Sequence, residues 1–216
     1  MEVNWQGIID ENEKVLTIVS GINGAGKSSF KRSIKEKYEA VFGESVNLDE
    51  IMELEFKNKW DEKNIYKATV MYLEKLDTLS KKQKTFHLEW TLVGLFEPTI
   101  IEVIKALKNG FKLNLIYVGI ESPMLASERI WSRRKKEVPL HNNIDSLTKK
   151  YEKSIKNLSR FIPICDIVAV YDNSTEGYLN ANKPLFFKNK DIVMHYDQDM
   201  PQYLNKALRK FKPRNS

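Results

Sequence analysis

The chain has 216 residues, 42% of them apolar and 30% charged, with a formal net charge of +6 and an isoelectric point near 9.1. That composition suits one α/β domain with a substantial core and excludes the disordered and fibrous classes. The single Cys165 permits no internal disulfide, and the N-terminus lacks the basic-then-apolar layout of a signal peptide. The longest apolar run, Leu113 to Ile120, is interrupted by Asn114 and is too short to cross a bilayer, so a cytoplasmic protein with no membrane contact is expected.

The first predicted elements are a buried strand at Val15 to Val19 and a helix at Ser29 to Tyr38. Between them lies Gly21-Ile22-Asn23-Gly24-Ala25-Gly26-Lys27-Ser28, which matches the phosphate-binding pattern G-x-x-x-x-G-K-[ST] in the strand–loop–helix setting it requires. Successive backbone N–H groups in such a turn form an anion nest, reinforced by the positive end of the helix dipole. A Cβ would block the φ values and the close approach that the glycines allow. A nucleoside triphosphate is therefore the expected ligand, bound by Gly21, Asn23, Gly24, Ala25, Gly26, Lys27, Ser28 and Ser29. Lys27 is expected to reach the β- and γ-phosphates, and the Ser28 hydroxyl to bind Mg²⁺.

Further along, Ser45 to Leu48 is a short strand ending at Asp49-Glu50. The charged segment Ile51 to Lys84 carries Ile65, Ala68, Thr69, Tyr72, Leu73, Leu76 and Leu79 at helical spacing, a core-facing stripe. Lys84 to Leu88 is a third strand ending at Glu89, Pro98 fits the first turn of the next helix, and Asn109-Gly110 marks its end. Phe111 to Gly119 is a clear strand, and Ser122-Pro123 opens a helix as N-cap and first position. A loop at Val138 to Asn143, a helix from Ile144 to about Arg160 and a strand from Cys165 to Tyr171 follow, then a hairpin around Asn189-Lys190 and a basic helix from Gln202 to Lys212. This alternation predicts an α/β fold of the P-loop type, a parallel sheet with helices on both faces. It is read as a single domain with a small basic lid at about 129–150 and a C-terminal extension at about 175–216. Ligands of such sheets bind outside the carboxyl ends of the strands, which gathers the phosphate loop, Asp49 and Glu89 into one crevice.

Phosphoryl transfer to a hydroxyl needs an in-line acceptor, a group to take its proton, a metal bridging phosphates, and cations for the transferring group. Asp49 is the candidate base, and equally a candidate N-cap for a helix starting at Glu50; the two roles are compatible. Glu89 reads as a ligand of acceptor hydroxyls or of a metal-bound water, or as a solvent-facing carboxylate at a strand end. Trp90 reads as a stacking platform or as cover for the core, and Thr91 as a substrate contact or a turn cap. Arg129, Arg133, Arg134, Lys135 and Lys136 form a dense cationic cluster of the kind that phosphate chemistry places over the reacting group, with Arg133 or Arg134 as the catalytic guanidinium and Lys149 and Lys150 adding charge from beyond the loop. Nucleic acid competes for the same cations. Much of the positive excess is interleaved with acids, as on a solvated face, and nucleic acid is not the expected partner. His87, His141 and His195 make no metal pattern.

With these residues in order, the chain resembles the zeta-toxin family of P-loop kinases from about Val15 to Ser174. The family's GxNGAGKS loop matches Gly21 to Ser28, its N-x-D-E-I stretch matches Asn47 to Ile51, and its E-T-T-L matches Glu89-Trp90-Thr91-Leu92. Its LIYVG strand with the following E/D-S-P matches Leu115 to Pro123, and its V-Y-D-N-S strand end matches Val170 to Ser174. Pro139-Leu140-His141 stands where the family has G-G-H, Lys149-Lys150-Tyr151 where it has R-R-Y, and Trp90 replaces a threonine. Lysine keeps the charge of arginine and loses its bidentate fork, so the acceptor side and lid depart from the family more than the nucleotide loop does. The resemblance implies ATP and Mg²⁺ as cofactors and phosphorylation of a UDP-amino sugar, typically UDP-N-acetylglucosamine. It also implies Asp49 as the catalytic carboxylate, Glu89 and Thr91 as acceptor contacts, Arg133 or Arg134 as a phosphate clamp, and an antitoxin protein as partner. Kinases for a nucleoside, an antibiotic or a polynucleotide end, a nucleic-acid-binding NTPase, and a nucleotide binder without turnover are the alternatives.

Overall fold

The computed structural model describes residues 3, 13–133, 143–175 and 183–213, without the side chains of 34–41 and 133. The inner strands β1 (Val15–Ser20) and β4 (Lys112–Gly119) are apolar on both faces. In β1, Leu16 and Ile18 enter one buried cluster while Val19 enters another. β4 repeats the division, with Leu113, Leu115 and Tyr117 on one side and Ile116 and Val118 on the other. A two-residue period with both sets buried is what a strand covered by helices on each face requires, and it explains the near-continuous apolar runs.

The sheet runs β2-β3-β1-β4-β5-β6-β7, where β2 is Glu44–Val46, β3 Phe86–Trp90, β5 Ile167–Asp172, β6 Phe186–Asn189 and β7 Ile192–Tyr196. The first five are parallel, and β6 and β7 are antiparallel additions on the edge of β5. The tail hairpin around Lys190 is therefore part of the main sheet, which is mixed where the sequence suggested parallel strands alone. Helix α1 (Lys27–Phe42) covers one face through Phe30 and Phe42. On the other face lie α3 (Glu62–Lys81), α4 (Phe96–Lys108), α6 (Ile144–Phe161) and α7 (Gln202–Leu208). Among the described residues no helix is long and apolar enough to cross a membrane.

Several boundaries differ from the sequence reading for local reasons. The charged segment after Asp49 is two helices, α2 (Leu48–Phe56) and α3. Lys57 and Asn58 turn into the left-handed region, and Asp61 then caps α3 by accepting from the Asn64 N–H at 2.8 Å. Asn47, in extended backbone, caps α2 by accepting from the Asp49 N–H at 3.0 Å. Asp49 is therefore in the first helical turn and is not the cap. Glu89 is inside β3, beside Val19 of β1, rather than beyond the strand. The final helix ends at Leu208, and a single 3-10 turn continues to Phe211. Ser122 caps α5 (Pro123–Arg133), its hydroxyl accepting from the Leu125 N–H at 3.2 Å, and α4 closes at Asn109-Gly110 as its spacing predicted.

Candidate active site

The loop from Gly21 to Gly26 joins β1 to α1, at the carboxyl end of the central strand. Ile22 and Ala25 are buried against Ile120 and Ala126, so the loop's apolar side chains point into the protein and its backbone faces outward. At Gly24, φ is +85° and a Cβ would strike the Ala126 carbonyl of α5; at Gly26, φ is +99° and a Cβ would strike the Asn173 side chain. No other residue type satisfies both limits. Lys27, the first residue of α1, is buried and its Nζ donates to the carbonyls of Gly21 at 3.0 Å and Ile22 at 3.3 Å. Burial holds its ammonium below the ordinary lysine range, and Glu89 and then Asp49 partly restore it. Ser28 and Ser29 are exposed at the start of the helix.

Two cavities meet in front of this loop. One, of about 320 Å³, is lined by Gly24, Gly26, Ser28, Glu53 and Ile130. The other, of about 160 Å³, is walled by Trp60, Tyr72, Trp90, Thr91 and Lys150. Asn23, Lys27, Asn47, Asp49 and Glu89 line both and form the seam between them. Three separate devices bring the charged groups there. The Asn47 cap starts α2 so that Asp49 leaves from its first turn. The β1–β3 register sets Glu89 level with the strand that feeds the phosphate loop. In α6, Lys150 follows buried Leu147 by three residues and precedes buried Ser154 by four, so it belongs to the inward stripe, while Lys149 is exposed and does not line either cavity. Burial lowers the Lys150 ammonium too, against the opposing pull of Asp49.

Glu89 is not the solvent-facing carboxylate of the plainer sequence reading. Its side chain is 7% exposed and pairs with Lys31 Nζ at 2.5 Å, and Lys31 also lies 3.6 Å from Glu50. Lys31 begins the acid-interleaved stretch Lys31 to Lys37 that the sequence reads as a solvated face, yet its place one helical turn after Lys27 puts both lysines on one side of α1. The same lysine faces His87 Nε2 at 3.5 Å, while His87 Nδ1 donates to the Phe42 carbonyl at 2.9 Å; burial keeps this histidine below its usual range, hence neutral. Thr91 lines the aromatic cavity, and its hydroxyl accepts from the Gly94 N–H at 3.3 Å, so contact and turn cap coexist. Trp90 is core: it packs on Phe96 and Phe161, and its Nε1 donates to the Gly94 carbonyl at 2.6 Å.

Arg129 does not belong with the mobile cations. It is buried, with Nη1 donating to the Asn173 carbonyl at 2.6 Å and Nη2 to the Ser174 carbonyl at 3.0 Å. Arg133 ends α5, and its side chain, with Arg134, Lys135, Lys136, Pro139, Leu140 and His141, lies outside the described residues. Trp60 and Tyr72, two aromatic walls of the second cavity, carried no functional signal; Tyr72 read as one more member of a core stripe.

No protein-family model matches the chain, and no curated protein matches it. Solved structures do. A candidate kinase from Chloroflexus aurantiacus superposes with a TM-score of 0.54 at 16% identity, over 79% of this chain and 94% of that one. The chain shares the α/β fold of that structure, a mostly parallel seven-stranded sheet with helices. A structure from the PezAT chromosomal toxin–antitoxin system of Streptococcus pneumoniae gives 0.60 at 14% identity, over 95% and 86% of the two chains. The AvrRxo1-ORF1:AvrRxo1-ORF2 complex solved with ATP gives 0.61 at 11% identity, over 94% of this chain and 65% of that one. At these identities the likeness is one of fold.

The residues fit the groups that such a fold binds. A cradle of backbone in which a Cβ has no room, closed by a buried lysine, suits a polyphosphate. The donors around the larger cavity, from Ser28, Asp49, Glu50, Glu53 and Glu89, are all oxygens. Among the described residues no cluster of three His, Cys, Asp or Glu forms a metal cage. The oxygen donors suit Mg²⁺, a hard ion held by one or two protein oxygens together with phosphate.

Proposed function

We propose that this protein is a kinase that transfers the γ-phosphate of Mg·ATP to an alcohol, with a UDP-amino sugar such as UDP-N-acetylglucosamine as the acceptor. The observation that carries this reading is the seam: Lys27, Asp49 and Glu89 stand between a glycine-lined cavity and an aromatic-lined one. Two substrates bound on either side would meet at a lysine and two carboxylates. The ATP-bound neighbour and the toxin–antitoxin neighbour support the nucleotide and a separate antitoxin as partner.

In this reading Lys27 exchanges the Gly21 and Ile22 carbonyls for β- and γ-phosphate oxygens, and the loop from Gly21 to Ser29 holds the triphosphate. Ser28 would hold Mg²⁺, which would supply neutralising charge for the phosphates. Asp49 takes the acceptor's hydroxyl proton as the new O–P bond forms and the bond to the departing ADP oxygen breaks. Glu89, fixed by Lys31, and Thr91 orient the acceptor, whose ring lies among Trp60, Tyr72 and Leu48. Lys150 supplies charge opposite the loop, and Arg133 and Arg134, with Lys149 farther out, are the remaining cations of the proposal.

Incubation with ATP and UDP-N-acetylglucosamine is expected to give a singly phosphorylated sugar nucleotide by mass spectrometry. An unchanged sugar nucleotide beside a phosphorylated nucleoside, antibiotic or 5′-hydroxyl oligonucleotide would replace the acceptor and keep the kinase. The two buried lysines also set a pH dependence. Each is held below the ordinary lysine range, so each loses its proton earlier than a surface lysine as pH rises. Accordingly kcat/KM for ATP, which reports the free enzyme, is expected to fall on the alkaline side. Lys150→Arg, permanently charged, removes one of the two ionisations and is expected to make that limb less steep while Lys27 still sets the remainder; an unchanged steepness would take Lys150 out of the groups that set it.

A further inference from the structure

We infer that Asn173, at the end of β5, is a positioning residue that aims the Gly26 N–H at bound phosphate by gripping the opposite side of the same peptide. The inference rests on the proposed nucleotide-binding role of the loop. Asn173 Nδ2 donates to the Ala25 carbonyl at 2.8 Å, across 148 residues of sequence. The Ala25 carbonyl and the Gly26 N–H belong to one planar peptide, and the described chain has no cis bonds, so the two groups point in opposite directions. Fixing the oxygen on the protein side therefore fixes the N–H on the cavity side, where Gly26 is part of the lining.

Without that grip this peptide has unusual freedom to rotate, because Gly26 at φ +99° pays no penalty for leaving or entering the left-handed half of the map. The grip is itself anchored at three points. The Asn173 N–H donates to the Gly119 carbonyl at 2.9 Å, and Arg129 of α5 holds the carbonyls of Asn173 and Ser174 through its two terminal nitrogens. Asp172, next in the strand, accepts from Tyr203 of α7 at 2.5 Å and from the Ser174 hydroxyl at 2.5 Å. Asn173 is 9% exposed, so no water competes freely for its amide. The space a Gly26 Cβ would need is the space the Asn173 amide fills, which ties the loop's glycine and the strand's asparagine into one fitted contact.

The probes are ATP, inorganic tripolyphosphate and adenosine, titrated calorimetrically against wild type, Asn173→Leu and Arg129→Lys, with a thermal melt of each protein. Asn173→Leu keeps the volume and deletes the donor. It is expected to weaken ATP and tripolyphosphate about tenfold, the worth of one hydrogen bond to an anion, and to leave adenosine within twofold. Arg129→Lys keeps the asparagine and loosens its anchor, with a smaller loss in the same direction, and serves where the leucine variant does not fold. A folded Asn173→Leu with wild-type affinity for tripolyphosphate overturns the inference, as does an equal loss for adenosine, which a general loosening of the fold would give. Wild-type protein that binds neither ATP nor tripolyphosphate instead overturns the proposed function.

Discussion

Lys27→Met is expected to leave a folded protein whose turnover falls by about 10³-fold or more, because the deleted charge acts on the group in flight. Methionine keeps the unbranched stem in its buried place beneath the loop, so the packing of Ile22 and Ala25 is retained. What disappears is the ammonium that now rests on the Gly21 and Ile22 carbonyls. Those two oxygens lose a donor, a cost of about 1–3 kcal/mol in stability, well short of unfolding a domain of this size. Turnover assays run beside a thermal melt separate the two effects. Wild-type turnover in a folded Lys27→Met protein would move the phosphoryl chemistry away from this loop.

Asp49→Asn is expected to cut turnover about 10²- to 10⁴-fold while ATP affinity stays within a few-fold. The substitution is isosteric, and Asn47, not Asp49, caps α2, so the helix that presents the group survives the change. Had Asp49 been the cap, loss of activity would have been confounded by loss of the helix; the structure removes that confusion. The measurement is kcat with saturating acceptor, and a value near wild type would pass the proton to another group, with Glu89 the nearest carboxylate on the seam.

What could be read in the sequence was what local chemistry dictates. Gly21 to Ser28 declares itself because few residue types tolerate those backbone angles, and the parallel strands do so because burial on both faces writes unbroken apolar runs. Asn47 and Asp49 are both able to cap a helix and stand two positions apart, so the choice between them depended on which one the strand left in extended backbone. The edge hairpin was legible as a hairpin, but whether it joins the sheet is decided by the open side of β5, which no local pattern encodes. The same holds for the site. Lys27 and Asp49 lie on motifs, whereas the Lys31–Glu89 pair exists because α1 lies across β3, and the Asn173–Ala25 bond because β5 ends beside the loop.

The antiparallel pair β6 and β7 has a consequence for anyone shortening this chain. β5 runs directly into Asn173, which meets the phosphate loop, and β6 covers the strand's outer edge from Ile167 to Val170. Cut away everything after Ser174, and that edge becomes a row of open N–H and C=O groups flanked by buried Phe186's former partners, a template for another molecule's strand. A trimmed version would be expected to self-associate, so β6 and β7 serve as the sheet's selvedge, keeping the fabric from unravelling at its most functional end.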